Sequence, residues 1–239
     1  STTSVGICYE SILNGKCDMA VCGGTSYIGD RNLTMFKGFE YLKCSSTNKE
    51  GNVYPFSKEK NGFLFSEGAA CMLVIEELEH ALKRGAEIYA EITGFACSSD
   101  AYNVVSMYPN GTIVENMLKK LVQGKKVDYY NAHGTATILN DEVEAKIIQN
   151  VFGDADSQPA INSSKAFLGH TLGASGAIEL AVCADSIRHN KVHGNLCGTI
   201  LENLNYTPET REMQVDCAVS SSLGFGGHNS AIMVERYRK

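Results

Sequence analysis

Apolar positions along the chain change their period several times, and each change marks an element. Val5, Cys8, Ile12 and Leu13 share one face at helical spacing, so residues 1–14 are expected to form a helix closed by Gly15. The apolar run 18–22 predicts a buried strand stopped by Gly23-Gly24. From 25 to 68 no period holds. Glycines, Pro55, a polar run over 45–52 and single apolar anchors predict a long excursion with a short helix at 34–39. The run 69–77 predicts a strand, 77–83 a helix ended by Gly85, and 87–96 a strand leading into a loop over 97–110.

Residues 112–122 carry an amphipathic helical pattern, and 127–131 a short buried strand that stops just before His133. A turn of small residues follows, then a helix to Val151 capped by Asn140 or Asp141. Glu144 stands three residues beyond Asp141, the offset of a capping box. A strand at 160–162 and a small-residue helix at 173–190 come next. After a linker over 193–212, strands at 214–222 and 230–236 pair around Gly224-Phe225-Gly226-Gly227. From 87 onward the order is strand, helix, strand, helix, strand, helix, strand, strand. Everything before 87 matches only the last part of that unit. Residues 1–86 therefore read as the end of one half and 87–239 as a complete second half. The architecture expected is α/β, a mixed sheet with helices on both faces.

Composition narrows the function. The 239 residues carry a formal net charge of −6 and no basic tract, which argues against nucleic acid as a partner. No apolar run reaches the roughly 18 residues of a membrane span, and no secretory signal precedes Ser1, so no membrane association and a cytoplasmic setting are expected. The nine cysteines show no paired spacing and no ligand pattern with histidine. Reduced thiols are expected, with no disulfide frame and no metal site.

The candidate chemistry sits at two strand ends. His133 lies beside Gly134 with Thr135 and Thr137 close by, and the arrangement repeats at Ser163-Ser164-Lys165-Ala166-Phe167-Leu168-Gly169-His170. Loops held by strands present side chains to a substrate on a rigid support. Either histidine alone can be a satisfied loop residue; two, with a lysine between them, favour catalysis. The apolar flank of Lys165 speaks against a surface cation. His80, His189 and His193 are expected to face solvent.

The runs Asn131-Ala132-His133-Gly134-Thr135-Ala136-Thr137, Lys165 with Gly169-His170 and Gly173-Ala174-Ser175-Gly176, and Gly224-Phe225-Gly226-Gly227 together resemble a β-ketoacyl-acyl carrier protein synthase, the condensing type of type II fatty-acid and polyketide synthesis. The resemblance covers the whole chain. It implies a thiolase-like five-layered αβαβα fold with duplicated halves, a dimer, and no cofactor beyond the phosphopantetheine of acyl carrier protein. It makes His133 and His170 the two histidines of a Cys-His-His site and Lys165 the lysine of the second motif. Glu144 becomes the carboxylate supporting that lysine, or simply a capping-box residue. Phe225, between Gly224 and Gly226, resembles a gating phenylalanine beside an oxyanion hole, and Asp100 a structural aspartate on the active-site loop.

The chain departs from the pattern in three places. The nucleophilic cysteine would fall about three residues before Ser1, so a preceding ketosynthase segment is expected to supply it. His228 stands where threonine usually follows the glycine run, and Ile138 where proline is common. Neither Cys8, two turns inside the first helix, nor Cys97 is expected to replace the nucleophile. The reaction implied is decarboxylative Claisen condensation of an acyl thioester with malonyl-acyl carrier protein. The alternative is a non-catalytic partner like a chain-length factor, paired in a heterodimer; a thiolase-type acyltransferase fits less well, since Ser220-Ser221-Ser222-Leu223 holds no second cysteine. An acidic carrier protein requires a local basic patch, for which Lys58, Lys60, Lys119, Lys120, Lys125 and Lys126 are candidates, though solvated surface lysines are the simpler reading.

Overall fold

The computed structural model describes residues 1–238. Its first elements are α1 (Thr2–Leu13), β1 (Met19–Tyr27), α2 (Thr34–Tyr41), β2 (Gly68–Glu76), α3 (Leu78–Lys83) and β3 (Glu91–Ser99). They are followed by α4 (Thr112–Val122), β4 (Tyr129–Asn131), α5 (Ile138–Phe152), β5 (Ala160–Asn162) and α6 (Lys165–Leu168). The chain closes with α7 (Ser175–His189), β6 (Lys191–Val192), β7 (Arg211–Glu212), β8 (Cys217–Gly224) and β9 (His228–Glu235). Single 3₁₀ turns, Leu172–Ala174 and Phe225–Gly227, lead into α7 and β9.

Five strands form one mixed sheet in the order β3-β9-β8-β4-β5, with β4 parallel to β5 and β8, and β9 antiparallel to β8 and β3. Side chains alternate between two cores because a strand repeats every second residue. Tyr130, Ile161, Val219 and Met233 face α4 and α5, where Leu118, Ile147 and Ile148 are fully buried. Tyr129, Ala160, Ala218 and Ile232 face Val5 of α1 and Leu180, Cys183 and Ile187 of α7. Each such aliphatic side chain contributes roughly 1.5–3 kcal/mol on burial. The α1–α7 layer also touches a two-stranded antiparallel sheet, β1–β2, through Cys22, Leu73 and Ile75. Helices α4–α5, the large sheet, helices α1–α7 and the small sheet thus make four stacked layers. The outer face of the small sheet presents Met19, Val21, Met72 and Val74, all exposed.

Several expectations need correcting. Gly23-Gly24 does not end the first strand; β1 pairs with β2 without a break from Met19↔Glu76 to Tyr27↔Gly68. Nor is that strand buried, since only Cys22 in it is. The glycines serve close approach, because a Cβ at Gly23 would lie 2.0 Å from the Cys71 carbonyl oxygen and one at Gly24 2.1 Å from that of Gly173. Strand β3 starts at Glu91 rather than 87, where its partner β9 ends in the pair Glu91↔Glu235. The last two strands run closer together than expected, with Gly224 opposite His228. His193 is half-buried, its Nδ1 2.6 Å from the Gly194 carbonyl oxygen, whereas His189 is exposed beside Asp185.

Candidate active site

Strand β4 delivers the chain to a turn over Ala132–Ala136, with φ of 40° at Gly134 and 61° at Ala136. Gly134 is needed here twice, for that φ and because a Cβ would meet Ser163 Cβ at 2.5 Å. Two buried carboxylates of α5 hold the turn. Glu144 accepts the N–H of His133 on Oε1 and of Gly134 on Oε2, both at 2.8 Å, and Ser221 Oγ donates to it at 3.2 Å. Asp141 accepts the N–H of Ala136 at 3.1 Å and of Phe56 at 2.7 Å, which ties the excursion to the turn. Burial pushes the Asp141 carboxyl up to about 7 and also raises Glu144, while the N–H donors pull the other way. Helix α5 begins at Ile138 after Thr137, so neither Asn140 nor Asp141 caps it. Glu144 is a clamp on the His133 backbone, not a capping-box partner.

Lys165 is 3% exposed, on the single turn of α6. Its ammonium donates to the His133 carbonyl oxygen at 2.7 Å and forms an ion pair with Glu179 of α7. The carboxylate paired with Lys165 is therefore Glu179, which sequence reasoning missed, and not Glu144. The available signal was a lone charge in the small-residue stretch Gly173-Ala174-Ser175-Gly176-Ala177-Ile178-Glu179-Leu180-Ala181. The two imidazoles meet nearly edge to face, ring centres 5.7 Å apart at 81°, and the Phe63 ring packs on His170 at 5.0 Å. Burial and then the Lys165 charge push both rings down, His170 to about 3. At pH 7 both are neutral. On His170 the Leu172 N–H donates to Nδ1 at 3.1 Å, which leaves the ring proton on Nε2.

Both rings line a cavity of about 730 Å³. Ser1, Thr2 and Thr3 line it too, so the first turn of α1 borders the cavity. The tip of α1 is seated hard against α7: a Cβ at Gly176 would lie 1.9 Å from Thr2 Oγ1. Thr135 and Thr137 also border the cavity, with their hydroxyls 2.9 Å apart. At the mouth Phe225 is 44% exposed and packs on Phe39 of α2 at 5.9 Å. Gly226 adopts φ 80°, and its N–H donates to the Val104 carbonyl oxygen at 2.7 Å. Asp100 braces this hairpin. Its N–H donates to the Gly227 carbonyl oxygen at 3.0 Å, and its carboxylate accepts Tyr108 N–H at 2.9 Å and Asn229 Nδ2 at 2.7 Å. His228 is exposed, lines the cavity and lies over Gly226.

The structure thus brings His133, His170, Thr135, Thr137, Phe225, Gly224 and His228 to one cavity, with Lys165, Glu144 and Asp100 behind them. Phe39, Cys44 and Ser175 line the same space; Phe39 and Ser175 fall in stretches the sequence marks, the 34–39 helix and the 173–176 run, but nothing there points to a role for any of the three. Cys8 and Cys97 do not line it. Five of the six candidate docking lysines have carboxylate partners: Lys58 with Glu202, Lys60 with Glu142, Lys119 with Glu115, Lys125 with Glu235 and Lys126 with Asp128. Among the described residues no helix is long and apolar enough to cross a membrane, and no group of three or more His, Cys, Asp or Glu side chains is placed to hold a metal ion.

Two histidine loops at the ends of parallel strands, facing a helix tip across one cavity, define a thiolase-like ketosynthase fold. The N-terminal domain of β-ketoacyl synthases matches residues 1–81 and the C-terminal domain residues 89–198, and the chain belongs to that family. It is 37% identical over 246 aligned positions to 3-oxoacyl-[acyl-carrier-protein] synthase 2 of Coxiella burnetii, covering 98% of this chain and 58% of the relative. Among solved structures it superimposes with TM-score 0.91 and 29% identity on a type II polyketide acyl-carrier protein in complex with its ketosynthase bound to the hexaketide, covering 99% of this chain and 60% of that one. The ishigamide ketosynthase/chain length factor gives TM-score 0.87 and 30% identity, over 99% of this chain and 58% of that one. The chain spans a little under three fifths of the Coxiella relative.

Proposed function

We propose that the full-length protein catalyses decarboxylative Claisen condensation of an acyl thioester with malonyl-acyl carrier protein. The observation that carries this reading is a pair of imidazoles, ring centres 5.7 Å apart, lining the same cavity as the first turn of α1. A cysteine sulfur just before α1 would sit at that tip, where free N–H groups and the helix dipole favour a thiolate. The thiolate attacks the acyl-carrier thioester, the bond from its carbonyl carbon to the carrier sulfur breaks, and the carrier thiolate that leaves takes up the proton the cysteine had given to solvent. Malonyl thioester then enters. Its carbon–carboxyl bond breaks, CO2 departs, and the electron pair moves onto the thioester oxygen as an enolate. Nε2–H donors of His133 and His170 hold that charge. The enolate carbon attacks the acyl carbonyl, the bond to sulfur breaks, and the β-ketoacyl chain leaves on the carrier protein.

Lys165 fits as a positioning residue. It holds the His133 carbonyl, and its charge adds to burial in disfavouring protonation of both rings. A buried ion pair such as Lys165–Glu179 adds little stability against apolar alternatives, so its presence beneath the rings favours a catalytic role over a silent partner subunit. Thr135 and Thr137 offer hydroxyls along the way a pantetheine arm would take, and Phe225 closes the entrance. Acyl carrier protein is the proposed partner, a dimer the proposed assembly, and the cytoplasm the proposed location.

The test uses the full-length protein with acyl- and malonyl-carrier protein, following CO2 release and β-ketoacyl product. His133→Ala or His170→Ala should each lower turnover by roughly 10²–10³ with unchanged circular dichroism. Undiminished carbon–carbon bond formation removes that histidine from the mechanism. A cerulenin-type epoxide should label the wild-type protein covalently, and a protein that stays unlabelled and releases no CO2 supports the chain-length-factor alternative instead.

A further inference from the structure

His170 is held by a hydrogen-bond set that its strand-end position does not explain. Leu172, two residues on, adopts φ 46°, in the left-handed region that a branched side chain rarely enters, and this turns its N–H back onto Nδ1 at 3.1 Å. A second group reaches the same atom: Ser175 Oγ, at the first residue of α7, lies 3.2 Å from Nδ1. Thr171 Oγ1 lies 2.9 Å from Ser175 Oγ on its other side. Both hydroxyl residues are nearly excluded from solvent, at 6% and 5% exposure, so their protons have few other acceptors.

The direction of this chain of bonds follows from the amide. A backbone N–H can only donate, so Nδ1 must present its lone pair. A serine oxygen turned lone pair first toward that nitrogen would be repelled, so Ser175 donates its proton to Nδ1. Its oxygen is then free to accept from Thr171. We propose that Ser175 is a positioning residue for His170. With Thr171 orienting it, Ser175 locks the ring in the tautomer and plane that direct Nε2–H into the cavity. A deep ring with one donor on Nδ1 can still tilt about that bond. Two donors from different backbone segments, one before α7 and one at its start, remove the tilt. Geometry of this kind is worth a modest factor in rate rather than the whole of catalysis, because the Leu172 amide remains when Ser175 is lost.

The tautomer is independent of the reaction proposed above; the effect on condensation rests on that reading. The experiment compares full-length wild type with Ser175→Ala and Thr171→Val, all labelled with 15N-histidine, by long-range 1H–15N correlation at pH 7. In Ser175→Ala the His170 Nδ1 resonance should move downfield, as a lone pair that has lost a donor does. Condensation should fall about three- to tenfold, with CO2 release falling in parallel. Thr171→Val should move both readouts the same way by less. If Ser175→Ala does not fold, Ser175→Cys, of similar size and a weaker donor, replaces it, and an intermediate downfield shift is expected. An Nδ1 resonance identical to wild type in a folded Ser175 variant overturns the proposal, whatever its melting temperature. A wild-type protein whose His170 shows the expected tautomer but which forms no product would refute the condensation reading while leaving this one standing.

Discussion

The turn that carries His133 and helix α2, which carries Phe39, line the same cavity, yet they are built in opposite ways. The turn is fixed from below by Glu144, Asp141 and Lys165, each buried, each bonded to main-chain atoms. Helix α2 has no buried residue; of its eight residues only Phe39 is not exposed, and the Asp30 carboxylate stands in for a cap by accepting Thr34 N–H at 2.9 Å. Charge that appears in a reaction must be met by donors that do not move, whereas a substrate entrance must open. The contrast is one of mooring: main-chain hydrogen bonds to buried carboxylates on one side, ring contacts among Phe39, Phe63, Phe65 and Phe225 on the other.

Substitutions can break this comparison. Glu179→Ala strands the Lys165 ammonium in a buried site and should cost about 3–5 kcal/mol, read as a fall in denaturant midpoint; a change under 1 kcal/mol would mean that Lys165 swings out to water. Glu144→Ala leaves two buried N–H groups unpaired and should cost about 2–4 kcal/mol, with loss of activity beyond the loss of fold. Gly226→Ala forces a Cβ onto a backbone at φ 80° beside the His228 ring, so about 1 kcal/mol of destabilisation and slower turnover are expected. Met35→Gln, on the exposed side of α2, should stay within about 0.5 kcal/mol; a larger loss would show that α2 is moored more firmly than its contacts indicate.

Acid sharpens the contrast further. His170 takes its proton near pH 3 in the folded protein but near pH 6.5 when unfolded. Between those values the unfolded chain binds more protons, so this ring's contribution to stability falls as pH drops from about 6.5 toward 3 and is constant above. Asp141, pushed up to about 7, acts in the reverse sense between about 4 and 7, so the comparison must be a difference. His170→Gln should flatten the acid side of the stability curve relative to wild type, measured by urea unfolding at pH 7 and pH 5. Parallel curves would mean that the ring titrates alike in both states.

Much of this was legible in the order of residues. Short apolar runs bounded by turns located β4, β5, β8 and β9, and two histidines at strand ends predicted one site, because local pattern decides elements and strand ends decide where loops meet. The partner of Lys165 was not legible, since Lys165 lies on α6 and Glu179 on α7, and no helical period links the two. The role of Glu144 was misread for a related reason. Its offset from Asp141 fits a capping box, but the helix starts two residues before Asn140, and that turns both carboxylates inward to the turn. Gly23-Gly24 looked like a strand stop because glycine marks turns as often as it marks two backbones passing closely.

That close passage has a mechanical consequence. Gly24 of β1 against Gly173 and Gly176 against Thr2 leave no room for even one methyl group where β1 and the tip of α1 meet the start of α7. The first turn of α1 and the segment bearing His170 are therefore machined parts with zero clearance. Whatever atom is carried at that tip inherits its distance to the imidazole from three hydrogen atoms that stand where side chains would otherwise begin.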